Sequence, residues 1–337
     1  MAKLRLTLMV HVEDGNHWDG TSGAPVAGSV AKRIAELATV VGQHGAKVSA
    51  QFGRWFVDAN DASVLTPSLR YSAPSSLRMV LENGGNLWPH THDGSYGFLQ
   101  TVHVCVSSAV AGELATLIAG GTSHAAGRSA GSDMDDPTLD WVSIAVHAGI
   151  RRMNSTVVNY YSTTPESLRP YGMTDADIKD GVWYHDAAPG PFVAGVTTMR
   201  QRPFYVNTSS VWDANIGCIY PGTTQVGSLL MIPHPARHQI ADFADGRGNQ
   251  RTSELTVKDF DACLTEIYTT YQNMLTHQNS IVNVWYVHIP PGNIESSKVG
   301  TFGAWVQSIN AIVGTGGDWR NFNEIASLYT NPQSFYY

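Results

Sequence analysis

The sequence predicts an α/β fold, a distorted parallel (β/α) barrel of about seven strands. Short apolar stretches of strand length alternate with longer stretches whose apolar residues recur at helical spacing. Several predicted strands end in polar residues, and the active sites of such barrels lie at the carboxyl ends of the strands. We see no internal repeat and no linker, so we expect a single domain over residues 1–337.

The first elements alternate strand and helix. Leu4–Val12 alternates apolar and polar residues and runs into a turn, which predicts a strand. Val26–Gln43 carries apolar residues at helical spacing and ends near glycines, which predicts a helix and its stop. Lys47–Phe52 predicts the next strand. Ser75–Glu82 predicts a helix closed by glycines, and Asn86–Trp88 a short strand after it.

The alternation continues to the end of the chain. Residues 155–225 interrupt it, because they are rich in Tyr, Pro, Gly and Thr and weakly periodic, so we interpret them as a loop-rich insertion over one face of the barrel. The remaining predicted elements are the strands Val102–Ser107, Ile150–Asn154, Ser228–Ile232 and Ile281–Val287, the helices Asp140–Ala148, Val257–Leu275 and Phe302–Ile312, and the closing segment Trp319–Leu328.

Composition excludes several classes of function. The 337 residues are 43% hydrophobic and 15% charged, which allows a sizeable core. A net charge of −7 without basic runs argues against a nucleic-acid partner, and no apolar stretch is long enough to span a membrane.

The cysteines, Cys105, Cys218 and Cys263, lack metal-site spacing. The first residues lack the apolar segment of a secretory signal, although the low Lys content favours an extracytoplasmic protein. The oligomeric state stays open.

Three polar clusters each follow a separate predicted strand. Glu13 and Asp14 are adjacent acids, so one can bind a metal while the other faces water; the alternative is a turn with a capping Asp. His90 and His92 lie two residues apart, which in an extended segment suits one metal; otherwise they are surface or core histidines. His288 ends a very apolar strand, where a histidine can act as a general acid or simply be a satisfied structural residue.

The order of motifs resembles the polysaccharide deacetylase superfamily, the NodB-homology fold. The likeness covers nearly the whole chain, although each motif is short. The motifs that carry it are Leu8-Met9-Val10-His11-Val12-Glu13-Asp14-Gly15, Val48-Ser49-Ala50-Gln51-Phe52-Gly53, Leu81-Glu82-Asn83-Gly84-Gly85-Asn86-Leu87-Trp88-Pro89-His90-Thr91-His92, Asp140-Trp141 with Ala148-Gly149-Ile150, Arg202-Pro203-Phe204-Tyr205, Leu229-Leu230-Met231-Ile232-Pro233, Val287-His288 and Phe322-Asn323-Glu324-Ile325-Ala326.

The resemblance implies a metal-dependent hydrolase that removes acyl groups from N-acetylated sugars of a polysaccharide. Asp14 would be the metal carboxylate and His90 a metal ligand. Glu13 would stand for the Asp that serves as general base, with Arg202 orienting and charge-balancing it. His288 would protonate the leaving amine.

Two positions depart from the pattern of that superfamily. Its second metal histidine falls at Gly94 here, so His92 is the expected replacement, with His234 and His238 as spare candidates. The base is a Glu, which is one methylene longer than Asp. A site rich in histidine and without thiols favours Zn²⁺ as the divalent metal.

Two other functions stay open. A glycosidase on a similar barrel would need two catalytic carboxylates and no metal. A catalytically inactive relative that binds carbohydrate is the second alternative, because Gly94 stands at the position of the second metal histidine; exposed aromatic side chains would then stack on sugar rings. The candidate aromatics are Trp18, Trp55, Trp88, Trp183 and Trp212.

Overall fold

A computed structural model describes fourteen stretches of the chain, and every structural statement below refers to them. They comprise residues 3–12, 27–52, 78–89, 124–125, 152–155, 204–208, 211–213, 218–220, 227–233, 257–277, 283–289, 294, 297–328 and 334–336.

Strands and helices alternate, as the hydrophobic periodicity predicts, within residues 4–89 and again within residues 257–328, whereas the elements described between those two regions are all strands. The strands are β1 (Leu4–Val12), β2 (Val48–Phe52), β3 (Asn86–Pro89), β4 (His124–Ala125), β5 (Arg152–Ser155), β6 (Phe204–Thr208), β7 (Val211–Asp213), β8 (Cys218–Tyr220), β9 (Gly227–Pro233), β10 (Asn283–His288), β11 (Gly317–Trp319) and β12 (Ser334–Tyr336). The helices are α1 (Ala27–Gly42), α2 (Val257–His277), α3 (Val299–Val313) and α4 (Phe322–Ser327), and residues 78–82 are also helical.

The strands form a curled, largely parallel arrangement of the (β/α) barrel kind. In the first sheet the order is β10-β1-β2-β3, all parallel, with β11 also pairing along the start of β1. In the second sheet the order is β12-β6-β9-β5-β4. The two sheets approach each other where β3 meets β4, which continues the curl.

Within the two five-stranded sheets, as far as the structure describes them, β6 and β9 are the one antiparallel pair. The described residues between β6 and β9 form the antiparallel strand pair β7–β8. For β9 to run parallel to β6, the chain would need a crossover connection between them, which is usually a helix. Strands β6, β7 and β8 all lie within residues 155–225, the stretch that the sequence marks as loop-rich.

Three helices cover the outer face of the first sheet. Helix α3 packs against both α1 and α2. The apolar face predicted for α1 is confirmed, since Ile34, Leu37 and Val41 are fully buried in the main core. Gly303 of α3 permits the close crossing with α1, because a Cβ there would lie 3.0 Å from Val40 Cγ1. Among the described helices, none is both long and apolar enough to cross a membrane.

Glycines end two helical segments as the sequence predicts. Gly45 follows α1 with φ of 82°, and Gly84 follows residues 78–82 with φ of 76°. In both turns the residue directly after the glycine donates back across the helix end, from Ala46 N to Val41 O and from Gly85 N to Val80 O. Each glycine therefore turns the chain directly into the strand that follows, β2 or β3.

Candidate active site

Three neighbouring strands end together at one edge of the first sheet. Val12 pairs with Phe52, and Phe52 pairs with Pro89, so β1, β2 and β3 finish in register. The strands are parallel, so this is the carboxyl-terminal edge, where barrel enzymes carry their active sites. Glu13 follows Val12 in the sequence, and His90 follows Pro89.

Most of the predicted site residues lie outside the described residues. They are Glu13, Asp14, His90, His92 and Arg202, together with Gly94 and the spare candidates His234 and His238. Their roles stay predictions. Among the residues that the structure describes, no cluster of three or more His, Cys, Asp or Glu could hold a metal ion.

His288 is the predicted site residue that the structure places. It is the last residue of β10, it is 3% exposed, and its backbone pairs with Met9 of β1. The next residue continues this pairing, because Ile289 N donates to Met9 O at 2.7 Å. The histidine is therefore held on the strand next to β1, three residues before the level at which β1 ends.

Alternation of side chains assigns His288 to the inner face of the curled sheet. Trp285 and Val287 face the helices and belong to the main core, whereas Val284 and Tyr286 belong to a second cluster with Leu230 and Ile232 of β9. Tyr286 Oη donates to Ile232 O at 3.3 Å, which joins the two sheets across the interior.

Two rows of inner-face residues cross the first sheet. The Met9 row consists of His288, Met9, Ser49 and Asn86, which pair in that order from β10 to β3. The Gln51 row lies one inner-face position nearer the carboxyl-terminal edge and consists of Gln51 and Trp88, which pair with each other; the backbone of Gln51 also pairs with that of His11. Gln51 and Trp88 are both fully buried.

Helix α4 occupies the interior beside the Met9 row. The backbone N–H of Phe322 donates to Asn86 Oδ1 at 3.1 Å and to Ser49 Oγ at 3.3 Å. Ser49 Oγ in turn donates to Asn86 Oδ1 at 2.7 Å and lies 3.2 Å from Thr7 Oγ1. These buried polar groups anchor the first turn of α4, so Ser49 and Asn86 hold α4 against the inner face of the first sheet.

Trp88 is wrong as a sugar-stacking candidate. Its ring is fully buried, stacks on Phe322 with centroids 4.9 Å apart, and donates from Nε1 to Asn323 Oδ1 at 3.3 Å. The indole therefore belongs to the interior core between β3 and α4. The side chains of the other four tryptophan candidates lie outside the described residues.

Charged groups at the opposite edge of the sheet belong to the scaffold. Arg5 near the start of β1 pairs with Asp318, which also accepts from Arg320 Nε at 2.9 Å. Lys47, just before β2, donates to Glu324 of α4 at 2.6 Å. These contacts fasten residues 318–324 to the amino-terminal ends of the strands, away from the edge that precedes Glu13 and His90.

The buried polar residues of the inner face carry no motif that marks them in the sequence. Thr7, Ser49, Gln51 and Asn86 are each at most 3% exposed. Their signal in the sequence is a polar residue at every second position of otherwise apolar strands. The same pattern is typical of strands that have one solvent-exposed face, so only the tertiary structure shows that both faces of this sheet are buried.

Comparisons with known proteins show the fold and no more. The chain matches no family model and no curated protein sequence. Two similar structures, one from Mycobacterium smegmatis and one from Pseudomonas aeruginosa PAO1, are assigned as polysaccharide deacetylases. Their TM-scores are 0.52 and 0.51, each at 10% identity, with 98% and 97% of this chain aligned to 93% and 90% of theirs.

A third similar structure is a 4-alpha-glucanotransferase from Thermococcus litoralis, with a TM-score of 0.52 and 11% identity. All of this chain aligns, but it spans only 42% of the length of that protein. The fold is thus distantly related to that of proteins that act on carbohydrates, and two of them match this chain almost end to end.

Proposed function

We propose that the chain is a metal-dependent hydrolase that removes an acyl group, such as acetyl, from the nitrogen of a sugar in a polysaccharide or oligosaccharide. The observation that carries this proposal is the common end of β1, β2 and β3 beside the strand that bears His288. The next residues along the three strands are Glu13, Gly53 and His90. An acidic residue, a glycine and a histidine therefore follow, in the sequence, three strands that end at the same level of the sheet.

The spacing of the strands suits one divalent ion held from two sides. Strands β1 and β3 are separated by two interstrand distances, about 10 Å in total. A carboxylate from one and an imidazole from the other can both reach an ion between them, at bond lengths of about 2 Å. Gly53, which follows β2 in the sequence, has no side chain. Asp14, His90 and His92 would hold the metal, and nitrogen and oxygen donors favour Zn²⁺.

When bound, the ion would lower the pKa of a water molecule towards about 7 and polarise the acyl carbonyl. Glu13 would remove a proton as that water adds its oxygen to the carbonyl carbon, and Arg202 would hold the Glu13 carboxylate in place. His288 would donate a proton to the nitrogen as the carbon–nitrogen bond breaks. The products are a carboxylic acid and a free amine on the sugar.

Alternation along β1 makes the roles of the two acids testable. Odd-numbered residues of β1 share the inner face with His288, so continued alternation would bring Glu13, and not Asp14, to that face. If the chain turns at Glu13, the alternation ends there and no longer assigns either acid to the inner face. Metal content therefore distinguishes base from ligand: Glu13→Gln should keep the metal and lose most activity, whereas loss of metal would exchange the two assignments.

The first experiment measures metal and deacetylation together on the purified full chain. Elemental analysis should find about one zinc per chain, and His90→Ala should abolish it. His44→Ala is the matched control, because His44 contacts Gln307 in the helix layer and should keep its metal. Release of acetate from an N-acetylated oligosaccharide should stop after chelation and return with zinc. A metal content unchanged in His90→Ala would refute the ligand assignment.

The glycosidase alternative predicts a different result in the same assay. Cleavage of the chain of sugars, insensitive to chelation and without release of acetate, would replace the proposed function. The similarity to the glucanotransferase extends only to the fold, whereas the match in length favours the deacetylases.

A further inference from the structure

Helix α3 presents an outer surface without charged residues. Its 15 residues include no Asp, Glu, Lys or Arg, although 15% of the chain is charged. A helix at a protein surface usually carries charged residues on the side that faces water. The neighbouring helix α1 follows this rule, since Lys32 and Glu36 pair on its surface. In α3, Gln307 contacts His44 beside α1, and the other exposed residues are small, namely Gly300, Thr301, Ala304, Ser308 and Ala311.

Helix α2 adds two exposed apolar side chains. Tyr268 and Leu275 are 52% and 42% exposed, whereas large apolar side chains are mostly buried in folded proteins. They are separated by two helical turns, so both project from the same side of the helix. Residues 267–276, which contain both, include no Asp, Glu, Lys or Arg. The two side chains therefore form an uncharged ridge on the surface of α2.

The ridge lies next to the small residues of α3. Phe260 of α2 meets Phe302 of α3 with ring centroids 5.5 Å apart, and further along both helices Tyr271 packs against Gly316, which follows α3. The two helices therefore run side by side in the same direction. The ridge residues flank Tyr271 by one turn on either side, so the ridge is on the edge of α2 that borders α3. We call the ridge and the exposed small residues of α3 the α2–α3 face.

We propose that the α2–α3 face is the contact surface of a dimer formed with a second copy of this chain. A ridge beside a row of small residues is complementary to itself, because a two-fold rotation lays the ridge of each copy against the small residues of the other. Charge favours the same partner, because two chains of net charge −7 repel each other least through uncharged surfaces. A basic protein would require acidic residues on the face, and an anionic membrane would require basic ones.

The size of the face predicts a weak and reversible dimer. It measures about 22 Å along α3 and about 20 Å across the two helices, since a helix rises about 1.5 Å per residue and is about 10 Å wide. Two copies together would bury roughly 900 Å², which is in the range of transient complexes and above most crystal contacts. We expect a dissociation constant above about 10 µM, so the chain is a monomer in dilute solution.

Sedimentation velocity of the purified full chain tests the proposal at concentrations from about 5 to about 500 µM, over which the wild type should shift from monomer towards dimer. Leu275→Arg and Ala311→Arg place a charge in the ridge and among the small residues, so each should weaken association by about tenfold or more. Met79→Arg is the matched control, because Met79 is 38% exposed, lies in the helical residues 78–82 outside the face and gains the same charge. It should associate like the wild type.

Three results would overturn the proposal. A wild type that stays a monomer at the highest concentration would leave the face to a different partner. Association unchanged in both Leu275→Arg and Ala311→Arg would put the contact elsewhere, and equal weakening in Met79→Arg would reveal a non-specific effect of charge. Weaker association in the two face variants, with melting temperatures in dilute solution close to that of the wild type, would support the dimer. If one face variant does not fold, the other carries the same expectation.

Discussion

Removal of the Phe322 ring should destabilise the protein strongly, because that ring fills the interior of the curled sheet. Phe322 is fully buried, stacks on Trp88 at 4.9 Å and meets Tyr286 edge-on at the same centroid distance. Substitution of a buried Phe by Ala costs about 3–5 kcal/mol, through lost burial and the cavity left behind. Each aromatic pair contributes about 0.5–1.5 kcal/mol to that total.

A cost of about 4 kcal/mol is a large part of the stability of an ordinary domain, about 5–15 kcal/mol. At about 2 °C per kcal/mol for a chain of this size, Phe322→Ala should lower the melting temperature by about 8 °C. Phe322→Leu keeps an apolar side chain in the interior but loses both aromatic pairs, so it should cost about 1–3 kcal/mol, less than Phe322→Ala.

Thermal unfolding followed by far-ultraviolet circular dichroism measures both variants. Tyr268→Ala is the control, because Tyr268 of α2 is 52% exposed and should change stability by no more than about 0.5 kcal/mol. A melting temperature of Phe322→Ala equal to that of the control would refute the reasoning, since it would mean that α4 does not fill the interior.

Three further predictions concern the acid and the anchoring of α4. His288→Ala should slow amide hydrolysis by about 10²–10⁴-fold with metal retained, and should slow an activated ester much less; equal losses on both substrates would make it a ligand or a structural residue. Asn321→Ala should cost up to about 2 kcal/mol in urea unfolding, because Asn321 caps α4 and also donates to Gly84 O. Lys47→Met should cost under about 1 kcal/mol, because its ion pair with Glu324 is partly exposed; a cost above that of Asn321→Ala would reverse this ranking.

Most of the described elements follow from local pattern. Strand β1 has the predicted bounds, and α1, β2, β3, β9, α2, β10 and α3 differ from prediction by only a few residues at either end. These segments have strong periodicity and clear stops, so neighbours in sequence suffice to define them. The predicted strand Val102–Ser107 and the predicted helix Asp140–Ala148 lie outside the described residues.

The candidate site was predictable in part. The end of β10 at His288 follows from its apolar run, and the sequence alone indicates a chemical role for a histidine there. The burial of Trp88 could not be predicted, because a tryptophan in a short strand serves equally as core or as an exposed platform. Its contact with Phe322 joins residues far apart in the chain, and nothing in either local pattern encodes that pairing.

By itself the sequence determined the alternation of strands and helices, the polar residues that follow the strands, and the chemistry those residues could perform. Only the tertiary structure decided the strand order β10-β1-β2-β3, the register that aligns Val12, Phe52 and Pro89, and the closure of the interior by α4. The physical reason is the distance along the chain between the residues that interact. Periodicity and turns depend on residues a few positions apart, whereas register is set when buried faces from distant segments pack together, with Ser49 and Asn86 bonding to Phe322.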